Sequence, residues 1–165
     1  MSSRSPDVSS ASPHDASRPV PGRSSITIRV RYSECDPMGV AHHASYLPWM
    51  ELGRTDLLRR AGKTYKSLEE SGVFFVITKV EVRYLRPIRY DDVVEVRTRI
   101  VGGSRVKLRH EYELALVERD GHPPNHDADP SVPKNGVLAV AGTELACVGS
   151  DGKIQPLPEW LAPGE

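Results

Sequence analysis

The chain has 165 residues and balances 22 basic against 22 acidic side chains, which leaves no global field to draw in nucleic acid or an anionic lipid surface. Its two cysteines, Cys35 and Cys147, make neither a disulfide framework nor a zinc knuckle and fit a reduced, cytoplasmic setting. No apolar run approaches the roughly 18 residues of a membrane span and the N-terminus lacks the apolar centre of a secretion signal, so a single soluble domain is expected.

In chain order, residues 1–24 are rich in Ser, Pro, Asp and Arg and carry almost no large apolar side chains, so they read as a disordered tail before a domain at 25–150 and a C-terminal tail at 151–165. From Ile26 to Tyr32, Ile26, Ile28 and Val30 alternate with Thr27, Arg29 and Arg31, the period of a half-buried strand. Asp36-Pro37-Met38-Gly39 reads as a turn, because proline presets the backbone after the acid and glycine accepts the left-handed geometry that closes the bend. Ser45 reads as the N-cap of a helix that ends at Gly62, with Pro48 in its first turn, where a missing N–H costs nothing. Tyr46, Trp49, Met50, Gly53, Leu57 and Ala61 form its buried stripe, and Gly53 on that stripe implies a close approach to a neighbouring element.

A short helix or turn over Thr64 to Glu70 leads into four alternating strands, Val73 to Tyr84, Asp92 to Val101, Arg105 to Val117 and Gly136 to Val148. Gly102-Gly103 is expected to make the hairpin between the second and third of these, and the Pro- and Asp-rich segment Asp120 to Asn135 to be a mobile excursion. Arg97 and Arg99 are expected on a solvated sheet face. One strand, one long helix and four long strands give an α+β domain, an antiparallel sheet of about five strands wrapped around a central helix. One helix cannot cover such a sheet, and its free edges favour a homodimer or homotetramer.

The chemistry concentrates in Tyr32 to Arg54, where an acid, two histidines and a helix start lie close together. Unpaired N–H groups and the positive end of the dipole gather at a helix entrance, and a carboxylate beside such an anion site is what acyl transfer needs. Cys35 is a poor nucleophile, since the adjacent carboxylate opposes thiolate formation. His42 reads as a surface or packing residue. His122, His126, Asp127 and Asp129 superficially resemble metal ligands, but a proline-broken loop fixes geometry poorly, and no metal is assigned.

These residues and this element order resemble the hotdog-fold acyl-CoA thioesterases, in particular the group of 4-hydroxybenzoyl-CoA thioesterase and the YbgC-like enzymes. The family pattern falls on Tyr32, Asp36, Gly39, His43, Tyr46 and Glu51, and weaker similarity runs over roughly Ser25 to Val148. The resemblance implies that Asp36 is nucleophile or general base. It implies that the helix start at His43 and Ala44 holds the carbonyl oxygen, chiefly through the His43 N–H, and that the His43 imidazole or the Tyr32 hydroxyl supports the carboxylate. It also implies an acyl-CoA substrate bound at a subunit interface near Gly39, Tyr46, Trp49 and Met50, with no cofactor. Ser104 and Arg105 are candidates for phosphate contact, because an arginine fork matches phosphate oxygens. Glu51 is the alternative acid, although acids in first helical turns commonly serve the dipole. Hydration or dehydration of acyl thioesters and non-catalytic acyl-CoA binding are the competing functions. The acyl group is not legible in these residues.

Overall fold

The computed structural model describes residues 20–161, so most of the expected N-terminal tail lies outside the described residues. Strand β1 (Arg23–Arg29) is followed by a 3-10 turn (Tyr32–Glu34), a second 3-10 turn (His43–Ser45) that runs directly into helix α1 (Tyr46–Arg60), and a short helix α2 (Tyr65–Glu70). Strands β2 (Phe74–Tyr84), β3 (Val93–Ser104), β4 (Lys107–Glu118) and β5 (Val137–Val148) complete one antiparallel sheet in the order β1-β3-β4-β5-β2. Among the described residues no helix is long and apolar enough to cross a membrane.

Helix α1 lies across β1 and β3. Trp49 and Met50 from the helix, Val94 and Val96 from β3, and Tyr112 and Leu114 from β4 meet in the main core. Gly53 makes the approach possible: a Cβ there would stand 2.3 Å from Thr98 Oγ1 and 3.4 Å from Val96 Cγ1. The helix stops where glycine permits it, with Gly62 at φ +71° just past the cap residue Ala61.

Several expectations need correcting. The first strand begins at Arg23 and ends at Arg29, because the chain leaves the sheet after Arg29 and winds into the 3-10 turn that carries Tyr32. Ser45 holds the N-cap position of α1 as expected but does not cap it with its side chain: its backbone is already helical, and its hydroxyl donates to the Glu34 carbonyl at 2.8 Å. The side-chain cap comes one turn earlier, from His42, whose extended backbone precedes the 3-10 turn and whose Nδ1 accepts the Ala44 N–H at 3.2 Å. Gly102 and Gly103 do not form the hairpin but pair within β3 after a bulge at Val101, and the chain reverses at Arg105 and Val106. Gly103 is needed for proximity, since a Cβ there would lie 2.0 Å from the Lys107 carbonyl oxygen.

A second bulge matters more for β2. Its register with β5 shifts at Thr78, so Ile77 opposes Leu145 while Lys79 opposes Glu144. The extra residue switches the parity of the strand, and Phe75 and Ile77 share the helix-facing side with Val80 and Val82. The segment expected to be a mobile excursion is tied down by the buried Val132 and by Asp129, which pairs with Arg119. Residues 151–161, expected as a tail, fold back so that Leu157 and Leu161 pack on Leu108 and Cys147.

Candidate functional site

The loop carrying Asp36 is a small closed hairpin. The Gly39 N–H donates to the Asp36 carbonyl at 2.9 Å and Gly39 takes φ +76°, so the turn read from Asp-Pro-Met-Gly is formed. The Met38 N–H donates to Asp36 Oδ1 at 2.8 Å, and the Asp36 N–H donates to the Val40 carbonyl at 2.9 Å. Oδ1 is thus fixed, while Oδ2 has no hydrogen-bond partner among the described residues.

Glu34, which the sequence reading passed over, locks this hairpin to the helix. Its carboxylate accepts the Trp49 indole N–H at 3.0 Å and the Arg31 guanidinium at 2.8 Å, and its carbonyl accepts from His42 N–H and Ser45 Oγ. Burial pushes the Glu34 carboxyl upward, but the hydrogen bonds from Arg31 and Trp49 outweigh it and hold the group below the ordinary carboxylate range. The only sequence signal for it was an acid two residues before the turn aspartate.

Asp36, His43 and Tyr46 border one groove of about 370 Å³, which Val40, Tyr84, Arg86 and Ile88 also line. That volume is at the small end of ordinary ligand sites. The His43 N–H heads the 3-10 turn and has no acceptor among the described residues, whereas the Ala44 N–H is spent on His42 Nδ1. Of the two donors expected at the helix start, His43 alone is free to meet an anion. Tyr46 packs against Tyr84 with ring centroids 4.8 Å apart, and burial pushes its hydroxyl up to about 12, so it stays protonated. Tyr84 donates its hydroxyl to the His43 carbonyl at 3.4 Å.

Other candidates fall elsewhere. Tyr32 is 81% exposed and stacks edge-on against Tyr90, with no hydrogen bond to Asp36, because the 3-10 turn rotates it outward. Gly39 shapes the turn without lining the groove. Trp49 and Met50 are core residues, 2% and 0% exposed, and do not reach the groove. Glu51 is exposed, pairs with Arg54 at 3.1 Å, and borders a separate groove of about 210 Å³ between α1 and β2. Ser104 and Arg105 sit at the far end of the 12-residue strand β3 from the Asp36 loop, on the order of 35 Å away at the usual rise per residue. Arg86, which the sequence reading did not single out, is the cation on the rim of the Asp36 groove.

Cys35 is held as a thiol, its pKa raised by burial and then by Glu34, Asp36 and Asp92. Asp129 is committed to Arg119 and Ser131, and His126 Nδ1 lies 2.6 Å from the Val132 carbonyl. Among the described residues no three His, Cys, Asp or Glu side chains are grouped to hold a metal ion. Arg97 and Arg99 lie on the outer sheet face, ion-paired with Glu95 and Glu111 along a broad trough.

Residues 30–163 match the family model described as the thioesterase-like superfamily. The chain is 37% identical over 87 residues to YneP of Bacillus subtilis, covering 53% of this chain and 63% of that one. It is 40% identical over 73 residues to the acyl-CoA thioester hydrolase YbgC of Escherichia coli, covering 44% and 54%. The matches therefore span just over half the length of these curated relatives. Among solved structures, a DHNA-CoA thioesterase from Staphylococcus aureus superposes with a TM-score of 0.66 at 28% identity, covering 82% of this chain and 79% of that one.

Proposed function

Because the chain belongs to the thioesterase-like superfamily, we propose that it hydrolyses an acyl-CoA to free acid and CoA, with Asp36 as nucleophile or general base. The five-stranded sheet and long helix are the hotdog arrangement of its structural neighbours. The observation that carries the reading is that Asp36 and the unengaged His43 N–H border one groove. A thioester carbonyl laid between them would have its carbon within reach of Asp36 or of a water that Asp36 deprotonates. As the tetrahedral centre forms, negative charge grows on the carbonyl oxygen, where the His43 N–H and the helix dipole stabilise it. Collapse breaks the carbon–sulfur bond, CoA leaves as thiolate, and the proton taken from water neutralises it; on the nucleophilic route, water then cleaves the acyl–Asp36 anhydride. Arg86 on the rim is suited to a CoA phosphate, a better candidate than the distant Arg105.

The active species in this reading is a homodimer joined through β2. That strand is a free sheet edge and exposes Ile77, Val80 and Tyr84 on one face, a row of apolar groups that a second copy would cover. Both cysteines are free thiols, which suits a cytoplasmic location.

The test is thiol release from acetyl-, hexanoyl-, palmitoyl- and benzoyl-CoA by the purified protein and by Asp36→Asn. The variant keeps its thermal midpoint and loses at least about 100-fold in kcat, the scale expected when a base or nucleophile is removed. Undiminished turnover would move the chemistry to Glu51. Consumption of an enoyl-CoA without thiol release would make the protein a hydratase, and tight binding without turnover an acyl-CoA sensor.

A further inference from the structure

We infer that the buried Asp92–Arg119 pair is a positioning device for the Asp36 loop, and that the segment 120–135 is part of it through Asp129. The inference rests on Asp36 being the catalytic carboxylate. Asp92 and Arg119 are 1% and 8% exposed. The guanidinium meets both carboxylate oxygens, Nε to Oδ1 at 2.9 Å and Nη2 to Oδ2 at 2.7 Å. Its remaining reach goes to the Pro87 carbonyl at 3.1 Å, Asp129 Oδ2 at 3.1 Å and Ser131 Oγ at 3.2 Å. Asp92 Oδ2 also accepts the Arg89 N–H at 2.7 Å. The fork therefore clamps the turn from Pro87 to Asp92 at both ends.

That turn is the wall on which the Asp36 hairpin is built. The Ala41 N–H donates to the Ile88 carbonyl at 2.7 Å, Val40 bridges Arg89, and the Tyr90 N–H donates to the Gly39 carbonyl at 3.3 Å. Val40 in turn accepts the Asp36 N–H. From Arg119 to the Asp36 backbone the connection is hydrogen-bonded or paired at each step. A buried ion pair brings little net stability over an apolar pair of the same size, so its distinctive contribution is directional. It holds Pro87–Asp92 in one place, and through it the carboxylate facing the groove. A misplacement of about 1 Å in a reacting group is enough to cost two orders of magnitude in rate.

The test compares Arg119→Lys, Asp129→Ala and Asp36→Asn with the parent chain, using whichever of the four acyl-CoA compounds turns over fastest. Arg119→Lys keeps a cation beside Asp92 but loses the fork, and Asp129→Ala leaves the central pair intact, so both should fold where Arg119→Met would strand a buried carboxylate. Arg119→Lys is expected to lower kcat roughly tenfold with KM within about twofold, and Asp129→Ala to lower it about threefold. Amide exchange provides a second readout. In Arg119→Lys the hydrogen-bonded amides of Asp36, Gly39 and Ala41 exchange faster while those of β4 keep their protection. Parent-like kcat, a change confined to KM, or exchange that rises evenly across the sheet overturns the inference for Arg119, and parent-like kcat in Asp129→Ala overturns it for the segment. Full activity in Asp36→Asn defeats the catalytic reading instead, and the exchange pattern then still decides whether the pair orders the loop.

Discussion

His110 on β4 is 5% exposed, stacks near Tyr112, and has an Nδ1 with no hydrogen-bond partner among the described residues. Burial, and then the neighbouring Arg54 charge, lower its pKa to about 4 from the ordinary 6.5. A depressed histidine binds fewer protons folded than unfolded, so its contribution is complete above pH 6.5 and is lost as pH falls through 4. The full shift corresponds to about 3 kcal/mol. Thermal melts from pH 7 to pH 4 should show the parent chain losing stability across this window and His110→Phe losing less; parallel curves would remove His110 as the cause. At this scale the sequence was legible where a residue acts through its own backbone. Asp36-Pro37 and Gly39 formed the expected turn because their dihedral preferences are local. It was not legible where a side chain's direction depends on the element around it. Tyr32 was read as the end of a strand, and the 3-10 turn points it to solvent; Trp49 and Met50 share a helix with Tyr46, yet only Tyr46 reaches the groove.

Between elements, the contact of α1 with β3 hinges on the missing side chain at Gly53. Alanine is worth up to about 1 kcal/mol more than glycine inside a helix. Against that, its methyl would collide with the buried and stiff Thr98 and crowd Val96. Overpacking of this kind costs about 1–3 kcal/mol, so Gly53→Ala should lower stability in urea, and adding Thr98→Ala should restore most of it. A stabilised single variant would show that helix and strand can move apart. Gly53 was readable because it sits on an otherwise apolar stripe. The glycines at 102 and 103 carry the same composition signal as a hairpin, yet they serve a bulge and a tight cross-strand contact. Composition alone does not separate those uses.

For the whole molecule, the number of strands followed from alternation and their antiparallel arrangement from the element order, but their lateral order did not follow, because period two says which face is buried and nothing about which strand lies beside which. The order β1-β3-β4-β5-β2 puts β2 on the edge, and that placement turns a general expectation of self-association into a specific one. Lysine at Ile77 and Val80 together would put charge into the face proposed to meet a second copy. Sedimentation should then show a monomer, with thiol release lost alongside; an unchanged dimer would move the interface to the charged outer trough or to β1.

The bulge at Thr78 carries an implication for how such a chain can vary over time. With the parity of β2 switched at one residue, a deletion or insertion on either flank would turn half of the strand's apolar groups outward, while most exchanges of one side chain for another would leave the two halves in phase. Descendants of this gene should therefore tolerate changes of letter in this stretch far more readily than changes of length, and its spacing is a more durable inheritance than its spelling.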